Sequence, residues 1–103
     1  MSKDYDNMIL ELNQQLRSLE KTLKQKCKVF EKMSSDYDII DMDPRYNNVK
    51  DTLYNKILVM IHEMNLIQQT MSNVYTKIDE YQNLKLSILD TSLITFSNPF
   101  LVI

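Results

Sequence analysis

The chain has no glycine and no tryptophan, and only one cysteine, one histidine and two prolines in 103 residues. Tight β-hairpin tips, phosphate cradles and catalytic loops normally recruit residues tolerant of φ > 0, and glycine is the usual supplier. Its absence argues for long helices joined by very few turns. The lone Cys27 excludes an intrachain disulfide and suits a reducing compartment. A formal net charge of −2 is too small to draw nucleic acid or a membrane surface by bulk electrostatics. The opening MSKDYDN is polar and acidic, unlike a signal peptide. No apolar run approaches the roughly 20 residues that a membrane span requires. A chain of this length is one domain at most, with a core that would be marginal in isolation.

What the chain does have is periodicity. From Tyr5 the apolar residues alternate by four and three: Ile9, Leu12, Leu16, Leu19, Leu23, then Phe30, Met33, Tyr37 and Ile40, with Lys26 the one charged member. Setting Ile9 at heptad position a puts every member at a or d. A 3.5-residue repeat keeps one narrow seam facing a partner helix, whereas an ordinary surface helix shows a wider stripe that drifts with the 3.6 period. Ser2 or Asp4 can cap the start. Lys26 at a d position has two readings: its stem packs on the seam while the ammonium snorkels to water, or it fixes register or partner choice.

The pattern breaks at DMDPRYNNVKD, residues 41 to 51. Asp43 followed by Pro44 reads as a helix start, an N-cap acceptor followed by the residue whose missing N–H is harmless at N1. Proline also disfavours α conformation at the residue before it, so the first helix must stop before Asp43. The heptad then resumes through Tyr46, Lys50, Leu53, Ile57, Met60, Met64, Ile67, Met71, Val74, Ile78 and Tyr81. Tyr54, Ile61 and Tyr75 flank this seam at e. The run Ile57–Ile61 is apolar all round, which a two-helix hairpin cannot cover. The expected architecture is all-α: a helix-loop-helix hairpin with coiled-coil seams, dimerising into a four-helix bundle. The helices are expected at about residues 4–39 and 44–90, with the bend at about 40–43. Folding back about residue 41 pairs Phe30 with Leu53, Leu23 with Met60 and Tyr5 with Ile78; the open alternative keeps both helices nearly collinear and buries their seams in other chains.

Residues 91–103 form an apolar tail of different texture, with Phe96, Phe100, Leu101, Val102 and Ile103. It either folds over the open end of the bundle or docks on a partner. Between Arg17 and Lys32 six basic residues outnumber two acidic ones, and four aspartates follow between Asp36 and Asp43. Nucleic-acid binding would want a stronger basic excess with interleaved aromatics, so a solvated face is the simpler reading. His62 falls at an outward f position with no nucleophile or ligand set placed beside it, and Cys27 at e is a flanking contact. No enzyme activity, cofactor or metal is expected.

Several short blocks carry a resemblance. YDNM (Tyr5–Met8), LEK (Leu19–Lys21), the pair Tyr37-Asp38, Met42 and Pro44 stand in an order and spacing that resembles the synaptonemal complex central element protein 3 family. The resemblance covers roughly residues 5 to 80. It departs from the family in lacking a tryptophan before Tyr37-Asp38 and in carrying the apolar tail. The resemblance implies a helix-loop-helix protomer that dimerises and joins coiled-coil partners in the nucleus, in the protein lattice of meiotic chromosome synapsis. The alternative of the same helical grammar is a small coiled-coil subunit of a kinetochore, spindle or vesicle-tethering complex. On either reading the partners are a second copy and other coiled-coil proteins. The expected assembly seam comprises Leu16, Leu19, Leu23, Phe30, Leu53, Ile57, Met60, Met64, Ile67, Met71, Val74 and Ile78, and the bend comprises Asp43 and Pro44.

Overall fold

A computed structural model of the chain describes the backbone of residues 4–101 and the side chains of residues 4–87. Two helices dominate: α1 (Tyr5–Asp41) and α2 (Asn47–Leu101), joined by a single 3-10 turn at Pro44–Tyr46. They lie side by side as an antiparallel hairpin, and no strand occurs among the described residues. At 1.5 Å per residue the helices are roughly 55 and 80 Å long, so the molecule is a rod of 86 × 25 × 15 Å. Its smallest dimension is little more than one helix diameter of about 10–12 Å. There is no second layer to enclose the seam.

Each end of α1 has a local cause. At the start, Asp4 Oδ1 accepts from the Asn7 backbone N–H (3.2 Å) and Oδ2 from the Asn7 side-chain amide (2.6 Å). Asp4 is therefore the N-cap, with Asp6 in the first turn near the positive end of the helix dipole. At the other end, Asp43 takes the extended conformation (φ −118°, ψ 112°) that a following proline imposes, and α1 stops at Asp41. Asp43 N–H donates back to the Ile40 carbonyl, and Tyr46 N–H to the Asp43 carbonyl, both at 3.1 Å.

Three boundaries differ from expectation: α1 runs to Asp41 rather than about residue 39, α2 runs to Leu101 rather than about residue 90, and the start of α2 moves. Pro44 opens a 3-10 turn rather than α2 itself, which begins at Asn47. Tyr46 is consequently exposed at the turn and not part of the seam. The connection from Met42 to Tyr46 needs no residue at positive φ, so the lack of glycine leaves the bend unstrained. The tail residues Phe96, Phe100, Leu101, Val102 and Ile103 have side chains that lie outside the described residues.

The register also differs from a fold about residue 41. Tyr5 stacks at a tilt on Tyr81 rather than Ile78 (ring centroids 5.8 Å), and Tyr37 meets Tyr54 (5.9 Å). Lys26 bonds Glu63, where the earlier register would place Ile57 opposite it. Near the bend the displacement is about one heptad. The reason is arithmetic: in an antiparallel pair, moving the fold point by about half a heptad, from residue 41 into the Met42–Tyr46 turn, moves the partners near the bend by twice that amount, while at the far end Tyr5 moves by three residues. A whole-heptad shift keeps a and d positions facing each other, so the same residues line the seam with different partners.

Candidate assembly surface

The twelve expected seam residues are all buried or half-buried, and the hairpin covers them unequally. Leu16, Ile57, Val74 and Ile78 are buried, while Leu19, Leu23, Phe30, Leu53, Met60, Met64, Ile67 and Met71 are half-buried. The best-enclosed cluster is Leu16, Val74 and Ile78, packed by Ile9, Leu12, Leu19 and Met71. It sits in the half of the rod away from the bend. Toward the bend the seam is more open, and there the apolar side chains spread around α2.

Within Ile57–Ile61 the seam residues Ile57 and Met60 face α1, while Leu58, Val59 and Ile61 remain 45%, 57% and 38% exposed. Ile39 of α1 is 65% exposed and Val49 of α2 51%. From Thr52 to Thr76 the helix carries only two formal charges, Lys56 and Glu63. Interface cores are depleted of charge in this way.

The two sides of the rod are chemically different. In an antiparallel pair the e positions of both helices line one side of the seam and the g positions the other. Polar contacts across the e side are already made within the chain. Asp41 pairs with Lys50, Asp6 with Lys85, and the Tyr75 hydroxyl lies 3.5 Å from Glu20 Oε1. The Lys50 ammonium also sits 5.9 Å from the Tyr37 ring centroid. The Asp41 carboxylate holds the Lys50 pKa above its ordinary value.

The g side carries the charges of Asp36, Lys56, Glu63 and Lys77. A trough runs along it, lined by Met33, Thr52, Lys56, Val59 and Glu63, and continues toward the bend past Ile39, Tyr46 and Val49. Its one cross-helix ion pair is Lys26 Nζ to Glu63 Oε2 at 2.8 Å, with side-chain exposures of 29% and 42%. Lys26 thus does more than snorkel: its charge is met by a g-position carboxylate on the other helix. Glu63 was missed in the sequence because the displaced register set Lys26 against Ile57. The available signal was that Lys26 is the single charged a/d position of α1.

At the bend, Asp43 Oδ1 accepts from the Arg45 backbone N–H (3.1 Å), and the Arg45 guanidinium closes on the same carboxylate with Nη2 to Oδ2 at 2.6 Å. The Arg45 side chain first, and its backbone N–H second, hold the Asp43 pKa below the ordinary carboxylate value. Asp43 and Pro44 therefore form a joint that is tied locally. Asp43 is half-buried and Pro44 exposed.

Among the described residues no group of three or more His, Cys, Asp or Glu side chains converges as a metal site would require. His62 is exposed, and Cys27 is a half-buried free thiol. No helix among the described residues is long and apolar enough to cross a membrane. Comparison with protein-family models, with curated proteins and with solved structures finds no match to this chain.

Proposed function

We propose that this chain is a non-enzymatic assembly protein, which self-associates through its hairpin and then engages other coiled-coil proteins. The observation that carries the reading is the uncovered middle of α2: Leu58, Val59 and Ile61 exposed on a rod one helix thick. The surface area supports it. A compact monomer of 12.3 kDa has an accessible surface of roughly 6,100 Å², whereas this chain exposes 8369 Å². The excess, roughly 2,300 Å², is more than the about 800 Å² per partner that a standard interface covers. Elongation accounts for part of that excess, and the exposed aliphatic side chains on α2 show where covering it would lower the free energy most.

On this reading, the short-motif resemblance to the synaptonemal complex central element protein 3 family suggests a part in the lattice of meiotic chromosome synapsis, in the nucleus. The helix-loop-helix shape accords with that reading. Light scattering across a wide concentration range tests the self-association on which it rests. A mass that rises to twice the chain mass is expected, and a monomer at the highest concentration would overturn the reading.

A further inference from the structure

The hairpin has two apolar flanks, and one of them adds a self-complementary pair of charges. On the e side the carboxylates of Asp6 and Asp41 have cationic partners within the chain, beside the exposed Tyr54, Ile61 and Tyr75 of α2. On the g side, α1 presents no charge at its g and c positions from Gln15 to Val29, and nearer the bend it brings Asp36 to the trough. The facing trough on α2 carries one cation and one anion, Lys56 and Glu63. Glu63 commits Oε2 to Lys26, whereas Lys56 makes no ion pair or hydrogen bond among the described residues. An unpaired ammonium on the rim of an apolar trough is a feature that a partner carboxylate would complete.

The placement of the two charges is self-complementary. Lys56 and Glu63 stand equally far on either side of the Val59–Met60 step. A two-fold axis crossing α2 there exchanges them, so each Lys56 meets the other chain's Glu63 when the two α2 helices run antiparallel. Isologous contacts of this kind are how most homodimers close. At the same level α1 presents Val29, 47% exposed, next to Val59 at 57%. The centre of the contact would then be valine from both helices of both chains.

Resting on the self-association proposed above, we infer that the g side of the hairpin is the homotypic face. The second copy lies α2 on α2, antiparallel about the Val59–Met60 step, with two reciprocal Lys56–Glu63 pairs. Like charges set against each other across an interface cost several kcal/mol, which gives the arrangement a direct test.

Sedimentation equilibrium of the full chain, of Lys56→Glu, of Glu63→Lys and of their equimolar mixture reads it out. Each variant alone should self-associate roughly tenfold more weakly than wild type or worse. The mixture should recover to within roughly threefold, because the acidic and basic variants complement each other reciprocally. Variants that dimerise like wild type, or a mixture that fails to recover, overturn the arrangement while leaving self-association standing. A monomeric wild type overturns both. Glu63→Lys also sets a lysine against Lys26, so a second variant guards against misfolding. In a Cys27→Ser background, Val59→Cys should form a disulfide-linked dimer under mild oxidation, and Leu10→Cys, exposed on the other side, should not. The reverse result refutes the proposal.

Discussion

Replacing Lys26 by leucine should leave the hairpin at least as stable and make it less certain of its register. The ion pair to Glu63 is 2.8 Å long, but the two side chains are 29% and 42% exposed, so solvent screens it. Such a pair is worth about 0.5 kcal/mol and at most about 1. Leucine at this d position would bury about 40 Å² more apolar surface than the lysine stem does, or about 1 kcal/mol at roughly 25 cal/mol per Å². The two terms nearly cancel, with a net change between zero and about +0.5 kcal/mol. The register is a different matter. Sliding α2 by one heptad keeps a and d in contact, but it would set the Lys26 charge against Ile57 without its carboxylate, at a cost of about 1–3 kcal/mol. Leucine removes that penalty, so the gap between the two registers should narrow by a similar amount. Urea unfolding followed by circular dichroism measures the first effect, and disulfide trapping of alternative helix pairs measures the second. A loss of more than about 1.5 kcal/mol would show that the pair is not a screened one. A neutral variant that still traps in a single register would refute the specificity argument.

Two further predictions rest on the same geometry. In a Cys27→Ser background, Tyr37→Cys with Tyr54→Cys should cross-link within one chain, since those rings lie 5.9 Å apart. Phe30→Cys with Leu53→Cys, a pair that only the fold about residue 41 would bring together, should not. At the bend, Asp43 has a folded pKa below the ordinary 3.8, so its contribution is complete above that value and is lost as pH falls through the folded one. Asp43→Asn should therefore lower stability at neutral pH and flatten the acid limb of the pH–stability curve below about 3.8; an unchanged acid limb would show that the Arg45–Asp43 tie contributes nothing.

The all-helical hairpin was legible because it depends on local repetition. Heptad spacing from Tyr5 to Ile40 and from Lys50 to Tyr81 makes the helices, and Asp43-Pro44 sets the break between them through one steric rule. The length of the turn was not legible. Whether Pro44 begins an α-helix or a 3-10 turn depends on where Arg45 and Tyr46 settle, and a single turn's difference there propagates to every cross-helix partner. The candidate surface was half legible. The all-round apolar run Ile57–Ile61 announced that α2 needs more cover than α1 can give, but which side stays open depends on the side chains that α1 brings beside it. Glu63 belongs to the part that could not be read: its role exists only in the register that the bend selects.

A heptad seam is a good source of affinity and a poor source of register, because a slide of seven residues restores nearly the same contacts. In this chain the two tasks fall to different residues. Leucine, isoleucine, valine and methionine on the seam favour association in any heptad register. The choice among registers comes from groups that do not repeat every seven residues: Lys26 with Glu63 midway, Asp41 with Lys50 near the bend, and Asp6 with Lys85 at the far end. Each pair is screened and individually weak. They act together, however, because a one-heptad slide breaks all three at once and leaves Lys26 without a partner on the seam. The same division of labour extends to the proposed dimer, where apolar side chains on α2 would supply the burial and the Lys56–Glu63 reciprocity would fix the alignment. A protein built this way can have its partners re-specified by changing a few charges, with the apolar framework left in place.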